Sequence, residues 1–174
     1  MTRICILSTS PSENARSYKT LRLAESLLAE QPALELIFID LKETPLPLYP
    51  GEGQEPSQED MLTQFQQADG WIIGGSVYNG GANAHLINFF HYALDLNKCP
   101  AGRPFFLVCG AGGGGSAYSF DDIGARVRRE VKAIEIGTPV VVTGEAETAK
   151  ERLTNSLHLL VPHAHLYGQL QRKA

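Results

Sequence analysis

Cysteine is scarce in this sequence: Cys5, Cys99 and Cys109 are all there is, and no two of them stand at C-x-x-C spacing. An odd count without that spacing points to neither a disulfide framework nor a zinc site. Long hydrophobic runs are also missing, none approaching the roughly 20 residues a membrane helix needs, so no membrane partner is expected. Positive charge is in short supply, with 15 Lys and Arg against 19 Asp and Glu and a formal net charge of -4. A nucleic-acid partner calls for a basic face and is not expected here. Residues 1–7 run straight into a strand pattern with no signal-peptide region, and a cytoplasmic location is the expectation. The five histidines, His163 and His165 among them, have no carboxylate or cysteine at ligand spacing, and no metal site is expected. The P-loop signature G-x-x-x-x-G-K-[ST] is absent.

What is present is an alternation. At 174 residues, 43% hydrophobic and 20% charged, the chain suits one globular domain over residues 1–174. Apolar runs at residues 3–7, 34–39, 71–75, 105–109 and 138–143 read as five strands. Helical spacing follows each of them, at residues 15–29, 57–68, 83–96, 120–134 and 145–160. Ser57 is the expected N-cap of the second helix. Residues 41–56 hold four prolines and two glycines and read as a long loop. Strict alternation with continuous apolar strands implies an α/β fold, a doubly wound five-stranded parallel sheet of order 2-1-3-4-5 with helices on both faces. Ligands of such sheets bind beyond the carboxyl ends of the strands, which puts the site on the loops after strands one, three and four.

The loop after strand one, residues 8–17, carries Ser10, Ser12, Asn14, Arg16 and Ser17 and opens onto a helix. Hydroxyls, a guanidinium and free helix N-terminal amides are what a phosphate dianion requires, although an ordinary Ser/Asn-rich cap looks the same. The loop after strand three holds Ser76, Val77, Tyr78, Asn79 and Gly80, where glycine admits close backbone approach and an aromatic can flank a planar ring. After strand four comes the run from Gly110 through Gly112, Gly113, Gly114 and Gly115. Gly110, Gly112 and Gly115 satisfy G-x-G-x-x-G literally, but no acid ends the following strand at the spacing a dinucleotide ribose needs.

Taken in order, these segments resemble the NADPH-dependent FMN reductase family of flavodoxin-like proteins. The carriers are the serine-rich loop ending in Arg16 and Ser17; Asp40-Leu41 with Leu46-Pro47-Leu48-Tyr49; Val77-Tyr78-Asn79; Leu86-Ile87-Asn88 with Asp95; and the glycines at 112–115. The resemblance spans roughly residues 3–142. Two positions depart from the family pattern, Ser76 standing where proline is usual and Ile87 where lysine is common. The resemblance implies an oxidoreductase with FMN as cofactor and NAD(P)H as cosubstrate, passing electrons to a small acceptor such as a flavin, quinone, azo compound or metal ion. It implies that Ser10, Arg16 and Ser17, with Ser12 and Asn14, hold the FMN phosphate. It also implies that Ser76, Val77, Tyr78, Asn79 and Gly80 meet the ring on one side and Gly112, Gly113 and Gly114 on the other. No protein acid or base is required, since the flavin carries the chemistry.

A homodimer or homotetramer is expected as well, from the resemblance and from Phe89 and Phe90 on the helix beside the site. Two other readings stay open: a flavodoxin-like electron carrier, and a flavin-free regulator or scaffold on the same fold. A response regulator is disfavoured because Ser8-Thr9-Ser10 offers no carboxylate at the end of strand one.

Overall fold

Strand β1 (Thr2–Ser8) is apolar at four consecutive positions, Ile4 to Leu7. Successive strand side chains point to opposite faces, so such a run can be buried only between two layers. The computed structural model, which describes residues 1–51, 53–113 and 118–173, has that arrangement. Ile4 and Ile6 join Ile72, Phe106 and Val108 beneath α1 (Arg16–Ala29) and α5 (Lys150–Gln171). Cys5 and Leu7 join Trp71, Ile73, Phe105 and Leu107 on the other face. There they are covered by α2 (Glu59–Gln67), α3 (Ala84–Asp95) and α4 (Tyr118–Glu130).

The sheet among the described residues has seven strands, and its main path runs β2 (Leu34–Asp40), β1, β3 (Gly70–Tyr78), β5 (Pro104–Gly110), β6 (Ile134–Glu135). The five strands expected from sequence pair in the expected order 2-1-3-4-5, the last of them at residues 140–142 lying parallel to Val108–Gly110, and only the numbering along the path changes. Two short strands that no periodicity marks enter the count. One is β4 (Gly81–Ala82), which turns back antiparallel on β3. The other is β6, which pairs with Pro104 and Phe105, while β7 (Val140–Val142) takes the Val108–Gly110 end of the same strand. Ile134 therefore belongs to a strand and not to the helix before it.

Three further boundaries move. Helix α2 begins at Glu59 because Ser57 turns its hydroxyl to Gln58 Oε1 and caps nothing. Strand β3 continues to Tyr78 because the hairpin with β4 extends it. The last helix starts after a short 3-10 turn (Ala146–Ala149) and continues past Pro162 to Gln171. Buried Leu160, Ala164 and Tyr167 keep its inner face on the protein, which outweighs the one backbone donor that proline removes.

Two glycines decide how the carboxyl ends of the strands come together. A Cβ on Gly75 would stand 2.3 Å from Thr9 Oγ1 and 2.5 Å from Asn83 Nδ2. One on Gly110 would stand 2.8 Å from the backbone nitrogen of Ser17. No side chain fits at either distance, so the loop after β1 and the first turn of α1 lie directly against β3 and β5.

Candidate functional site

Helix α1 starts without a side-chain cap: Ala15 occupies the N-cap position and offers none, and no acidic residue stands in the first turn. The first amides of a helix have no intrahelical acceptor, and here nothing on the N-cap residue replaces one. Arg16 and Lys19, three residues apart, share the helix face above these amides. Both are exposed, and neither takes part in an ion pair among the described residues. Among the described residues Arg16 Nη1 donates one bond, to the Ala111 carbonyl at 3.4 Å. Two cations without an ion-pair partner among the described residues, over an uncapped helix start, offer the charge and the donors that an anion requires.

That site opens into a cleft of about 460 Å³, within the usual range for small-ligand sites. Ser12, Asn14, Ala15, Arg16 and Lys19 form one wall, Ser76, Val77 and Tyr78 another, and Gly110, Ala111 and Gly112 a third, with Gly144, Glu145 and Ala146 closing the end. Three strand ends and the turn after β7 thus meet at one place.

Of the residues singled out from sequence, Ser12, Asn14, Arg16, Ser76, Val77, Tyr78 and Gly112 line the cleft together. Ser10 and Ser17 do not line it. They lie fully buried beneath, their hydroxyls 2.7 Å apart, with Ser17 Oγ 3.2 Å from Ser76 Oγ. Asn79 and Gly80 form the tip of the β3–β4 hairpin, with φ of 50° and 73°. Positive φ at both central residues is what a two-residue hairpin turn of this hand demands, and Asn-Gly is its preferred sequence. Tyr78 at the hairpin base is 50% exposed. Gly113 is exposed with open space around it, and Gly114 lies outside the described residues.

Lys19 and Glu145 were not anticipated. The i to i+3 spacing from Arg16 could have indicated Lys19. Glu145 carries no local signal, because only the sheet order brings the turn after β7 to this end of the cleft.

The floor is locked by a second set of bonds. Thr9 Oγ1 donates to the Gly74 carbonyl at 3.0 Å and accepts from Asn83 Nδ2 at 2.9 Å. The other end of the Asn83 amide caps α3 by accepting from the Leu86 amide at 3.1 Å. Beside the cleft, the proline-rich segment is clamped by Asn88, which accepts from the Tyr49 amide and donates to the Pro47 carbonyl, each at 2.8 Å. Tyr49 stacks on His91 with ring centres 5.4 Å apart, and Asp95 accepts from the Gly53 amide at 3.0 Å. Asn88 and Asp95, picked out in sequence only as part of a pattern, therefore hold this loop. The cysteines offer no nucleophile: burial pushes the Cys99 and Cys109 thiols up to about 12, and the Cys5 thiol upward too.

The sequence profile of the NADPH-dependent FMN reductase family matches residues 2–148. None of the curated proteins matches in sequence. Among solved structures, the apo form of an NADH:FMN oxidoreductase, EMOB, is similar with TM-score 0.74 and 16% identity, over 93% of this chain and 90% of its own. FerB, a flavoenzyme NAD(P)H:(acceptor) oxidoreductase from Paracoccus denitrificans, is similar with TM-score 0.73 and 14% identity, over 94% and 99%. An FMN-dependent NADH-azoreductase from Bacillus anthracis, solved with FMN, is similar with TM-score 0.64 and 13% identity, over 98% and 99%. At these identities the likeness is one of fold.

Replacing Asn88 with alanine removes both bonds of the clamp, and a loss of about 1–3 kcal/mol of stability is expected. Hydrogen exchange at the Tyr49 amide should accelerate at least tenfold while the β1 amides hold their rates. An unchanged rate at Tyr49 would show that the loop is held by something else.

Proposed function

The chain belongs to the NADPH-dependent FMN reductase family, and on that premise we propose that its cleft holds FMN, with NAD(P)H as the reductant and a small molecule as the electron acceptor. The observation that carries this reading is the uncapped start of α1 with Arg16 and Lys19 above it, neither in an ion pair among the described residues, facing a cleft large enough for more than a phosphate. Without an anion, that arrangement leaves two like charges close together at the positive end of a helix dipole. A phosphate monoester satisfies amides, hydroxyl and cations at once.

What FMN supplies when bound is the redox chemistry, accepting hydride from NAD(P)H and delivering electrons onward. The chain's own residues bind and orient. Arg16, Lys19 and Ser12 hold the phosphate end. Val77 and Tyr78 form a wall for the ring, and Gly112 and Gly113 leave space for a second flat ring to approach. Hydride transfer requires donor and acceptor at about 3–3.5 Å, and bare backbone on one side allows that approach.

Self-association belongs to the same reading. Phe89 is fully buried in the core, whereas Phe90 lines an apolar groove between α3 and α4 with Ile87, Leu94, Ile123 and Val127. A second copy laid across this groove would cover Leu94, which is exposed. A cytoplasmic location is part of the same reading. No helix among the described residues is long and apolar enough to cross a membrane.

Two outcomes are expected. Arg16→Ala should weaken FMN binding by about 1.5–3 kcal/mol, the value of a charge-assisted bond, while riboflavin, which has no phosphate, binds as before. Equal losses for both ligands in a fluorescence titration would take Arg16 away from the phosphate. Light scattering at micromolar concentration should give a dimeric or tetrameric mass, and a strictly monomeric mass would reject the covered groove.

A further inference from the structure

Ser10, Ser17 and Ser76 hold three hydroxyl protons and, between them, only two hydrogen bonds, Ser10 to Ser17 at 2.7 Å and Ser17 to Ser76 at 3.2 Å. Each hydroxyl donates one proton, so the direction of the chain decides which proton is left over. If the chain runs from Ser76 to Ser10, the spare proton sits on Ser10. That residue has no exposed surface, and its hydroxyl has no hydrogen-bond partner other than Ser17 among the described residues. If Ser10 and Ser76 both donate to Ser17, the spare proton is on Ser17, equally buried. Both arrangements strand a buried donor and incur its full desolvation cost. Only the direction Ser10 to Ser17 to Ser76 gives the spare proton an outlet, because it then belongs to Ser76, which is 8% exposed and is the member that lines the cleft.

We propose that this relay fixes Ser76 as a hydrogen-bond donor to an acceptor atom of the bound flavin, with Ser10 and Ser17 as positioning residues that act through it. The inference rests on the FMN reading above and adds to it a recognition rule: the ligand atom that takes the Ser76 proton is an oxygen or ring nitrogen with a free lone pair. The relay needs a hydroxyl at position 76 to end it. The rest of the local structure is built around it. The missing side chain at Gly110 lets Ser17 reach the sheet, its Oγ only 3.0 Å from where a Cβ would be. The Ser76 carbonyl is held at 3.3 Å by Asn83 Nδ2, which steadies the backbone that carries the donor. The neighbouring Thr9 proton is already committed to the Gly74 carbonyl, so it cannot serve in Ser76's place.

The test is a double-mutant cycle read by flavin fluorescence titration, with FMN and riboflavin as probes. Ser76→Ala should weaken FMN binding about tenfold, near the top of the range for one net hydrogen bond. Ser17→Ala should weaken it severalfold in the wild-type background and have no further effect in the Ser76→Ala background, whereas a merely structural role for Ser17 would add its full effect in both. Should the coupling persist with riboflavin, the acceptor is on the ring or ribityl chain; should it vanish, the acceptor is the phosphate. Thermal unfolding without ligand reads the chain independently of binding. Ser17→Ala strands the Ser10 proton, so the double variant Ser10→Ala/Ser17→Ala should melt higher than Ser17→Ala alone. Additive effects in a protein that binds FMN would overturn the relay and leave the cofactor assignment standing. Failure of the wild type to bind either flavin would overturn both.

Discussion

The first turn of α1 must lie against β5 with no side chain between them, and the site depends on that single approach. Gly110 makes it possible, since a methyl group there would collide with the Ser17 backbone nitrogen at 2.8 Å. Once the helix start is so close, its free amides face the space above the sheet. Ser17 is drawn beneath that space, and Arg16 and Lys19 are left on its rim. Ala15 at the N-cap has no side chain that could fold back over the amides. An anion site here is a product of packing as much as of polar residues.

A parallel sheet supplies the rest by topology. The ends of β1, β3 and β5 are neighbours because those strands pair in that order. Each contributes a different chemistry: a cationic helix start, an aromatic hairpin base and a bare glycine backbone. The Thr9–Asn83 bonds tie the first two together, and the Asn88 clamp sets the proline-rich loop beside them. Binding residues held by strands and helix ends keep their positions better than residues on free loops, as a site that must align two flat rings requires.

Much of this was legible in the sequence, for particular reasons. Continuous apolar runs such as Ile4 to Leu7 announce a strand buried on both faces, and the alternation of strand and helix patterns then fixes the layers. That the loops after three of these strands line one cleft follows from the topology of such sheets. What escaped depends on contacts between distant residues. The two-residue strands β4 and β6 are too short for any periodicity and exist because β3 and β5 offer them partners. Helix α5 outlasts Pro162 because Ala164 and Tyr167 pack inward. Ser10 and Ser17 look like ligand-facing hydroxyls in a polar loop, and only the close approach at Gly110 shows them to be buried. Lys19 and Glu145 reach the cleft by helix pitch and sheet order respectively, neither of which is a motif.

The central claim is that the flavin held here takes hydride from a nicotinamide, and its spectrum under anaerobic conditions tests this most directly. The protein is loaded with FMN and mixed with excess NADH or NADPH in a stopped-flow spectrometer while the oxidised flavin band is followed. Bleaching within seconds is expected with at least one of the two nucleotides, at a rate that rises with its concentration. A band that stays unbleached for minutes with both would contradict the assignment and leave an electron carrier in its place.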